Sequence, residues 1–323
     1  MSLKKVVAGI KKNNNFVITS HRSLEGDALG SELAFFRLLR MMGKQAVIIN
    51  ADNYPLQYSF LPGINKIKKF NKHNINGLRL GCLAVLDCSD LSRCGEVFKI
   101  NIDNKPILNI DHHISNAKFG DINWIDLNVS SCSEMIYKLY KELRLPLDKD
   151  IAAFLYTGMM TDTGSFRYSN TTSLTHEAAA EFLHYKVDVR QTYKYIYENI
   201  PLPEMKLLSK ILTTVRCEFQ GRVSWFQIGR NLLKNKKLSI DLTEHILNFA
   251  RTIKNVEVAV LFKENLGKNN EVRINLRSPG SPDVNKIARF FGGGGHKTAS
   301  GATVQGNIDE VRRKVLAKIK ESL

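Results

Sequence analysis

Acidic and histidine side chains follow several short apolar runs of this chain, at places where they could bind a metal ion or a phosphate. Asp111, His112 and His113 come directly after the run Ile107–Ile110. One carboxylate and two imidazoles form a ligand set typical of divalent transition metals. Adjacent side chains of an extended strand point in opposite directions, which indicates that one histidine binds metal and the other binds substrate.

A second group of such residues lies in the loop after the apolar run Phe16–Thr19. His21, Glu25 and Asp27 are all in this loop, and a helical pattern begins at Ala28. The amides at the start of that helix would favour a phosphate. Taken alone, a loop with two acids and a histidine is more often a solvated turn.

Two further acids occupy the ends of predicted elements. Asp87 follows the strand Cys82–Leu86, where it could bridge two cations or cap the next helix. Asp162 lies at the carboxyl end of the helix predicted for Ile151–Met160, where the helix dipole disfavours a carboxylate. A cation near Asp162 would remove that conflict.

The fifth group is in the C-terminal part of the chain. Arg277 and Ser278 end a predicted strand, and four glycines, 292–295, precede His296. A glycine run is usually a flexible loop, but it also exposes backbone amides that can bind an anion. The neighbouring His296 and Lys297 favour the anion site.

The elements around these groups predict an α/β fold with a parallel sheet. Short apolar strands alternate with helical patterns of apolar residues over the first 200 residues. This alternation indicates a parallel sheet covered by helices, with reactive residues beyond the carboxyl ends of the strands. The strands are predicted at Phe16–Thr19, Gln45–Asn50, Cys82–Leu86 and Pro106–Ile110, and the helices at Ala28–Met42, Ser131–Leu143, Ile151–Met160, Thr171–Tyr185 and Arg190–Tyr197.

The length of 323 residues favours two domains. Pro201 and Pro203 mark residues 199–205 as a linker between a first domain at 1–198 and a second at 206–323. The second domain is predicted to be a smaller mixed α/β domain. Its strands are Arg222–Ile228, Val256–Lys263 and Glu271–Arg277, and its helices are Asp241–Ala250, Val284–Phe291 and Ile308–Leu323.

The amino-acid composition limits the class of protein to which this chain can belong. Hydrophobic residues make up 43% and charged residues 24%, as in an ordinary globular protein. The N-terminus has no apolar stretch long enough for a signal peptide, and no other run approaches a membrane span. The five cysteines form no CxxC pair and indicate reduced thiols. We therefore expect a cytoplasmic protein with no membrane partner.

The positive charge is uneven along the chain. Residues 1–200 contain 25 Lys+Arg and 20 Asp+Glu, hence +5, whereas residues 201–323 contain 22 and 11, hence +11. A basic C-terminal part suggests an anionic partner such as a nucleotide or nucleic acid. A lysine-rich solubilising surface would give the same count.

Together, the five groups resemble the DHH/DHHA1 family of phosphoesterases, in the group of nanoRNases, pAp phosphatases and linear or cyclic dinucleotide phosphodiesterases. The resemblance covers nearly the whole chain, with the DHH part ending near residue 198 and the DHHA1 part after it. It is carried by Asp111–His113 together with the loop of His21, Asp87, Asp162 and the glycine run.

The resemblance implies two Mn²⁺ ions, with Mg²⁺ or another divalent cation as an alternative. His21, Glu25 and Asp87 would hold one ion, and Asp87 would bridge to the other. The implied ligands of the second ion are Asp27, Asp87, His112 and Asp162. His113 would contact the scissile phosphate, Asp111 would orient a histidine, and the substrate's terminal nucleotide or phosphate would bind Arg277, Ser278, Gly293, Gly294, Gly295 and His296.

The implied reaction is hydrolysis of short RNA, pApA, pAp or cyclic di-AMP to 5′-mononucleotides by a hydroxide activated by the two metals. The family usually has Asp where this chain has Glu25, which puts the affinity of the first metal in question. A catalytically impaired nucleotide-binding protein is therefore an alternative, as is a nonspecific basic nucleic-acid binder. Homodimerisation is possible.

Overall fold

The computed structural model describes residues 3–71, 77–233, 242–264 and 270–323. The chain folds into two compact units, Met1–Glu198 and Asn199–Leu323. Each has its own six-stranded sheet.

The sheet of the first unit is entirely parallel, as predicted. Its strands are β1 (Phe16–Thr19), β2 (Ala46–Asn50), β3 (Ile67–Lys69), β4 (Cys82–Leu86), β5 (Ile107–Asp111) and β6 (Ile122–Ile125), in the order β3-β2-β1-β4-β5-β6. Thr19 pairs with Val85 and Leu86 with Ile110, so the carboxyl ends of β1, β4 and β5 share one edge. The strand order reverses between β1 and β4, which is where ligands bind in open parallel sheets.

Alternate residues of each strand face two different cores, because side chains alternate along an extended backbone. Phe16 and Ile18 pack in the large core, which also takes residues from six α-helices. Those helices are α1 (Leu3–Lys12), α2 (Gly26–Met41), α3 (Cys132–Leu143), α4 (Lys149–Asp162), α5 (Ser173–His184) and α6 (Val189–Tyr197). Val17 faces a smaller core, which the 3₁₀ segment Leu91–Ile100 covers with Cys94 and Val97.

The second unit has a mixed sheet. Its strands are β7 (Arg216–Glu218), β8 (Val223–Ile228), β9 (Val258–Glu264), β10 (Glu271–Arg277), β11 (Gly294–Gly295) and β12 (Ala299–Gln305), ordered β11-β12-β10-β9-β8-β7. In the described part of this unit β8 and β9 pair in parallel, and the other strand pairs are antiparallel. The helices α7 (Leu202–Leu212), α8 (Arg230–Leu233), α9 (Thr243–Arg251), α10 (Val284–Phe290) and α11 (Ile308–Lys320) complete it. Val260 and Leu261 face separate cores, so the sheet is packed on both sides. The α/β fold class of both units is confirmed.

The segment predicted as a linker, 199–205, is helical in its second half. Helix α7 already begins at Leu202, with Pro201 as its N-cap and Pro203 in its first turn. Proline is tolerated there because the first helical amides have no partner within the helix. Two prolines close together therefore mark the start of a helix here.

Helix α1 was not predicted, although Leu3, Val6 and Ile10 recur at helical spacing. Val6, Gly9 and Ile10 are buried in the structure. Asp241, the first residue of the predicted helix Asp241–Ala250, lies outside the described residues. All five cysteines are free thiols. Within the described ranges, each helix is too short or too polar to cross a bilayer.

Candidate metal centre

The acids and histidines predicted in the first unit converge at the shared carboxyl edge of its sheet. His21 lies two residues beyond β1, Asp87 follows β4, and His112 and His113 follow β5. Helices supply the remaining residues: Asp27 is in the first turn of α2 and Asp162 is the last residue of α4.

Asp87 occupies the middle of this group. Its Oδ2 lies 3.5 Å from His21 Nε2, and its Oδ1 lies 3.4 Å from His112 Nε2. The residue adopts a left-handed backbone conformation (φ 51°), and its amide donates to the carbonyl of Ile110. Non-glycine residues rarely adopt this conformation, and those that do cluster at functional sites. The two carboxylate oxygens of Asp87 thus belong to two groups of candidate ligands, which we call the first and second pockets.

His21, Glu25 and Asp87 surround the first pocket. His21 Nε2 lies 3.6 Å from Glu25 Oε1, and the three side chains offer ligand atoms within 4.8 Å of one another. His21 Nδ1 lies 2.6 Å from the carbonyl oxygen of Arg22. That contact places the proton on Nδ1 and leaves the Nε2 lone pair for a metal.

Asp27, Asp87, His112 and Asp162 surround the second pocket. His112 Nε2 lies 3.4 Å from Asp162 Oδ2 and 3.7 Å from Asp27 Oδ2. Asp27, Asp87 and His112 are buried and offer ligand atoms within 4.8 Å of one another. The second pocket therefore combines three carboxylates with one imidazole.

Backbone amides of α3 hold Asp27 in place. Cys132 N donates to Asp27 Oδ2 at 2.6 Å, and Ser133 N donates to Oδ1 at 2.8 Å. Both amides are at the start of the helix, where they have no partner within the helix and the helix dipole favours an anion. These amides are functional groups that the sequence prediction missed, although Ser131 marked the start of the helix.

Gly158 allows α4 to approach Asp27. A Cβ at this position would lie 1.9 Å from Ser133 Oγ and 2.8 Å from Asp27 Oδ1. Helix propensity favours alanine over glycine by about 1 kcal/mol, but overlap of this kind costs about 1–3 kcal/mol and would displace Asp27.

We therefore expect Gly158→Ala to lower the melting temperature and to weaken Mn²⁺ binding. Thermal unfolding and calorimetric titration would measure both effects. Gly9→Ala is the matched control, because a Cβ there would lie 2.5 Å from Ile122 Cδ1 and would touch none of the groups that hold Asp27. Unchanged Mn²⁺ affinity in the Gly158 variant would contradict this account of the α4 contact.

Burial and crowding shift the pKa values of these groups in different directions. Burial raises the pKa of Asp27 to about 6, and the nearby Asp87 adds to the effect. Burial also raises the pKa of Asp162 well above its usual value. Burial alone would likewise raise that of Asp87, but the contacts with His112 and His21 outweigh it and hold the pKa well below its usual range.

The imidazoles are stabilised in their charged form. Burial lowers the pKa of His112, but Asp162 and Asp87 outweigh burial and raise it to about 10. The pKa of His21 is also raised well above its usual value, because Asp87 and Glu25 outweigh the opposing effect of burial. Protons on these rings partly neutralise the crowded carboxylates, which is the role a divalent cation would take over.

Three buried polar atoms support the fit of a cation. Within the described residues, His21 Nε2, Asp87 Oδ2 and Asp162 Oδ2 make no hydrogen bond. Buried polar atoms in proteins normally have partners, so such a group needs an explanation. Imidazole nitrogens and carboxylate oxygens are the ligands that Mn²⁺ and similar ions accept. The residues present thus fit a divalent metal.

His113 is held by Asp111. Its Nδ1 lies 2.7 Å from Asp111 Oδ1, while Asn116 Nδ2 donates to Asp111 Oδ2 at 2.6 Å. Asn116 was not singled out in the sequence, where nothing distinguishes it from a loop asparagine. The expectation that strand alternation separates the two histidines is wrong, because β5 ends at Asp111. His112 Nε2 and His113 Nδ1 lie 3.4 and 3.6 Å from the same Asp87 oxygen.

The residues predicted to bind substrate lie at one end of the sheet in the second unit. Arg277 pairs with Ala299, and Gly295 pairs with Ser300 on the same strand. The Arg277 guanidinium contacts Glu244. Ser278 is buried, and its hydroxyl donates to the carbonyl of Pro282 at 2.7 Å. The serine hydroxyl thus stabilises the turn between Ser278 and Pro282.

The glycine run is more ordered than a loop of exposed amides. The amides of Gly292 and Gly293 donate to the carbonyls of Arg289 and Ala288 at the end of α10. A Cβ on Gly293 would lie 2.1 Å from the carbonyl oxygen of Gly301, so close packing of β11 on β12 requires glycine here. The expectation that all four amides are exposed is wrong, because these two bond to α10 while Gly294 and Gly295 pair with β12 and Gly295 is buried. His296 follows the strand, and its carbonyl accepts from Ser300 Oγ at 2.6 Å.

Comparison with known proteins gives matches along both units. The DHH family, N-terminal domain, matches residues 15–159, and the DHHA1 domain matches residues 234–322. The bifunctional oligoribonuclease and PAP phosphatase NrnA of Thermus thermophilus is 30% identical over 95% of this chain and 89% of its own length. The Bacillus subtilis protein of the same name is 28% identical over 98% of this chain and 96% of its own.

A solved structure agrees with these matches. An exopolyphosphatase-related protein from Bacteroides fragilis superposes with a TM-score of 0.85 at 25% identity, covering 98% of this chain and 95% of that one. The matched domains span both units, and the grouped acids and histidines lie in the first. The chain therefore belongs to the DHH/DHHA1 family of phosphoesterases.

Proposed function

We propose that this protein hydrolyses short nucleotides, such as nanoRNA, pApA, pAp or cyclic di-AMP, to 5′-mononucleotides in a reaction that depends on Mn²⁺. The observation that carries the proposal is the convergence of acids and imidazoles around Asp87, whose two oxygens face separate histidines. Relatives named for oligoribonuclease and PAP phosphatase activity support the choice of substrate class.

Two groups of residues would hold the metals. His21, Glu25 and Asp87 would hold one ion, and Asp27, Asp87, His112 and Asp162 the other. When bound, divalent cations supply Lewis-acid activation of water and neutralise charge on the phosphate. Mg²⁺ or another divalent ion would fit the same oxygen and nitrogen ligands.

Residues of the chain itself would orient the group that contacts the phosphate and hold the metal ligands in place. Asp111 accepts from His113 Nδ1 and is itself held by Asn116, so the ring of His113 has one fixed orientation. In that orientation His113 would contact the scissile phosphate. The α3 amides hold the Asp27 carboxylate in place. Preorganisation of this kind lowers the reorganisation that the reaction needs.

The second unit would bind the rest of the substrate. Arg277, His296 and the glycine run lie in its basic part, and we assign them to the terminal nucleotide or phosphate. We assign catalysis to residues 1–198 and substrate binding to the second unit. Homodimerisation and a cytoplasmic location remain predictions from the sequence.

The test is turnover of defined substrates. Purified protein would be incubated with pAp, pApA, short RNA and cyclic di-AMP, with and without Mn²⁺, and the products separated by chromatography. We expect 5′-mononucleotides from at least one substrate, only with added metal. A His112→Ala preparation controls for contaminating nucleases. Binding of all substrates without turnover would favour the catalytically impaired alternative, and tight salt-sensitive binding of long strands alone would favour the nonspecific binder.

Glu25 is the one metal-binding position that departs from the usual family residue. Its side chain is 56% exposed, and its Oε1 lies 3.6 Å from His21 Nε2. We expect Glu25→Asp to keep or improve Mn²⁺-dependent turnover, because Asp is the usual residue of the family at this position. Glu25→Gln keeps the length but removes the charge, and should weaken Mn²⁺ binding by about 10-fold or more. Complete loss of activity in the aspartate variant would mean that the longer side chain is required.

A further inference from the structure

A buried polar network lies beneath the loop that carries His21. Asn50, the last residue of β2, has no solvent exposure, and neither does Glu32 of α2. Asn50 Oδ1 accepts hydrogen bonds from Thr19 Oγ1 at 3.1 Å and from Ser20 N at 3.2 Å. Asn50 Nδ2 donates to Glu32 Oε2 at 2.8 Å. The network thus joins α2 and β2 to the residue that precedes His21.

Glu32 and the Ser20 amide together determine which way the Asn50 side chain points. An asparagine amide can present either its oxygen or its nitrogen to a neighbour, whereas the Ser20 N–H only donates and a carboxylate oxygen accepts. Both neighbours therefore favour the orientation in which the nitrogen faces helix α2 and the oxygen faces Ser20. With the amide reversed, a donor would face the Ser20 amide and the loop would lose this contact.

Packing alone gives no reason for these residue types. Burying a carboxylate and an amide costs free energy, and apolar side chains of similar size would pack as well or better. Among the described residues, Glu32 makes no ion pair with lysine or arginine that would offset its burial. Polar groups in such a position are explained if they orient something, and the loop they reach carries a candidate metal ligand.

Other hydrogen bonds hold the same loop on the far side of His21. Arg22 N donates to the carbonyl of Arg93 at 2.8 Å, and Ser23 N donates to Asp52 Oδ2 at 2.9 Å. The contact of Asn50 with Ser20 completes this set on the near side. His21 is therefore flanked by fixed backbone on both sides, which limits where its Nε2 can lie.

We propose that Glu32 and Asn50 are positioning residues, which hold the Ser20–His21 backbone so that His21 Nε2 meets a divalent cation. The inference rests on the proposed metal-dependent function. It predicts that the network acts on metal affinity and not on the chemical step, since neither residue lies among the candidate metal ligands.

The test compares Glu32→Met with Glu32→Gln. Methionine removes the acceptor, whereas the Gln oxygen can still accept from Asn50 Nδ2. We expect E32M to bind Mn²⁺ about 10- to 100-fold more weakly by calorimetric titration, and E32Q to stay within about threefold of wild type. The turnover rate of E32M at saturating Mn²⁺ should return close to that of wild type.

Tyr140→Phe is the matched control. The Tyr140 hydroxyl is buried in the same unit and donates to the carbonyl of Ala34 at 2.8 Å. Its removal costs one buried hydrogen bond without touching the His21 loop. If the network is merely structural, Y140F and E32M should lower the melting temperature alike and leave Mn²⁺ affinity unchanged, and that result would overturn the proposal.

If E32M does not fold, a second pair of variants tests the same contact by exchanging its donor and acceptor. Asn50→Asp sets two carboxylates against each other and should weaken Mn²⁺ binding, whereas N50D combined with E32Q restores the hydrogen bond in the opposite direction and should recover it. Equal affinities of N50D and the double variant would also overturn the proposal. If wild-type protein itself binds no Mn²⁺, the proposed function has failed instead, so the two failures are distinguishable.

Discussion

Replacing Asp87 with asparagine is expected to lower kcat/KM for phosphoester cleavage by about 1,000-fold or more, since both candidate metal pockets lose a charged ligand at once. The substitution keeps the shape of the side chain, so the loss would come from charge and metal binding. Steady-state kinetics with pApA or pAp at several Mn²⁺ concentrations would measure it.

The same variant should also be less stable without metal. The pKa of Asp87 is lowered well below its usual value, so the folded protein favours the charged carboxylate. At neutral pH this contributes stability that an amide cannot supply. We therefore expect the metal-free melting temperature of D87N to fall. Full activity in D87N would contradict the assignment of Asp87 as the residue shared by both pockets.

Replacing Asp162 with asparagine is expected to abolish Mn²⁺-dependent turnover and yet to stabilise the metal-free protein. Asp162 ends α4, and burial raises its pKa well above the usual value. A raised carboxyl pKa means that the cost of burial exceeds what the contact with His112 returns, so holding the charge at neutral pH destabilises the fold. Asparagine is neutral and of the same size, and the melting temperature should rise.

The two variants form a matched pair, because both remove one carboxylate from the same site. Differential scanning calorimetry in the presence of a chelator should shift their melting temperatures in opposite directions, while both lose activity. Buried functional residues often trade stability for activity in this way. A lower melting temperature in D162N would mean that its contact with His112 outweighs the cost of burying the charge.

Much of the first unit follows from its sequence. The strands β1 and β4 have the predicted bounds, because short apolar runs bounded by polar residues have few other interpretations. In a parallel sheet the carboxyl ends of neighbouring strands meet, so residues that follow β1, β4 and β5 had to come together. That rule anticipates the proximity of His21, Asp87 and His112 without any knowledge of distances.

Contacts between distant segments were beyond such reasoning. The amides that hold Asp27 come from Cys132 and Ser133, more than 100 positions away. The close crossing of α2 and α4 depends on Gly30 and Gly158. Nothing in the sequence distinguishes these two residues from other glycines in helices. Both features arise from tertiary packing, which local patterns do not encode.

The second unit was predicted less completely for a related reason. Strand β12 (Ala299–Gln305) contains small and polar residues and has no alternating pattern, yet it pairs with β10 along its whole length. Its neighbour β11 consists of two glycines. Pairing with neighbouring strands stabilises β11 and β12, so the strand propensity of their residues gives little signal.

The most direct test of the metal centre is anomalous diffraction from crystals of the wild-type protein grown or soaked with Mn²⁺. Two anomalous peaks are predicted, one touching His21, Glu25 and Asp87 and the other touching Asp27, Asp87, His112 and Asp162. Peaks only at other surfaces, or none at saturating Mn²⁺, would contradict the account.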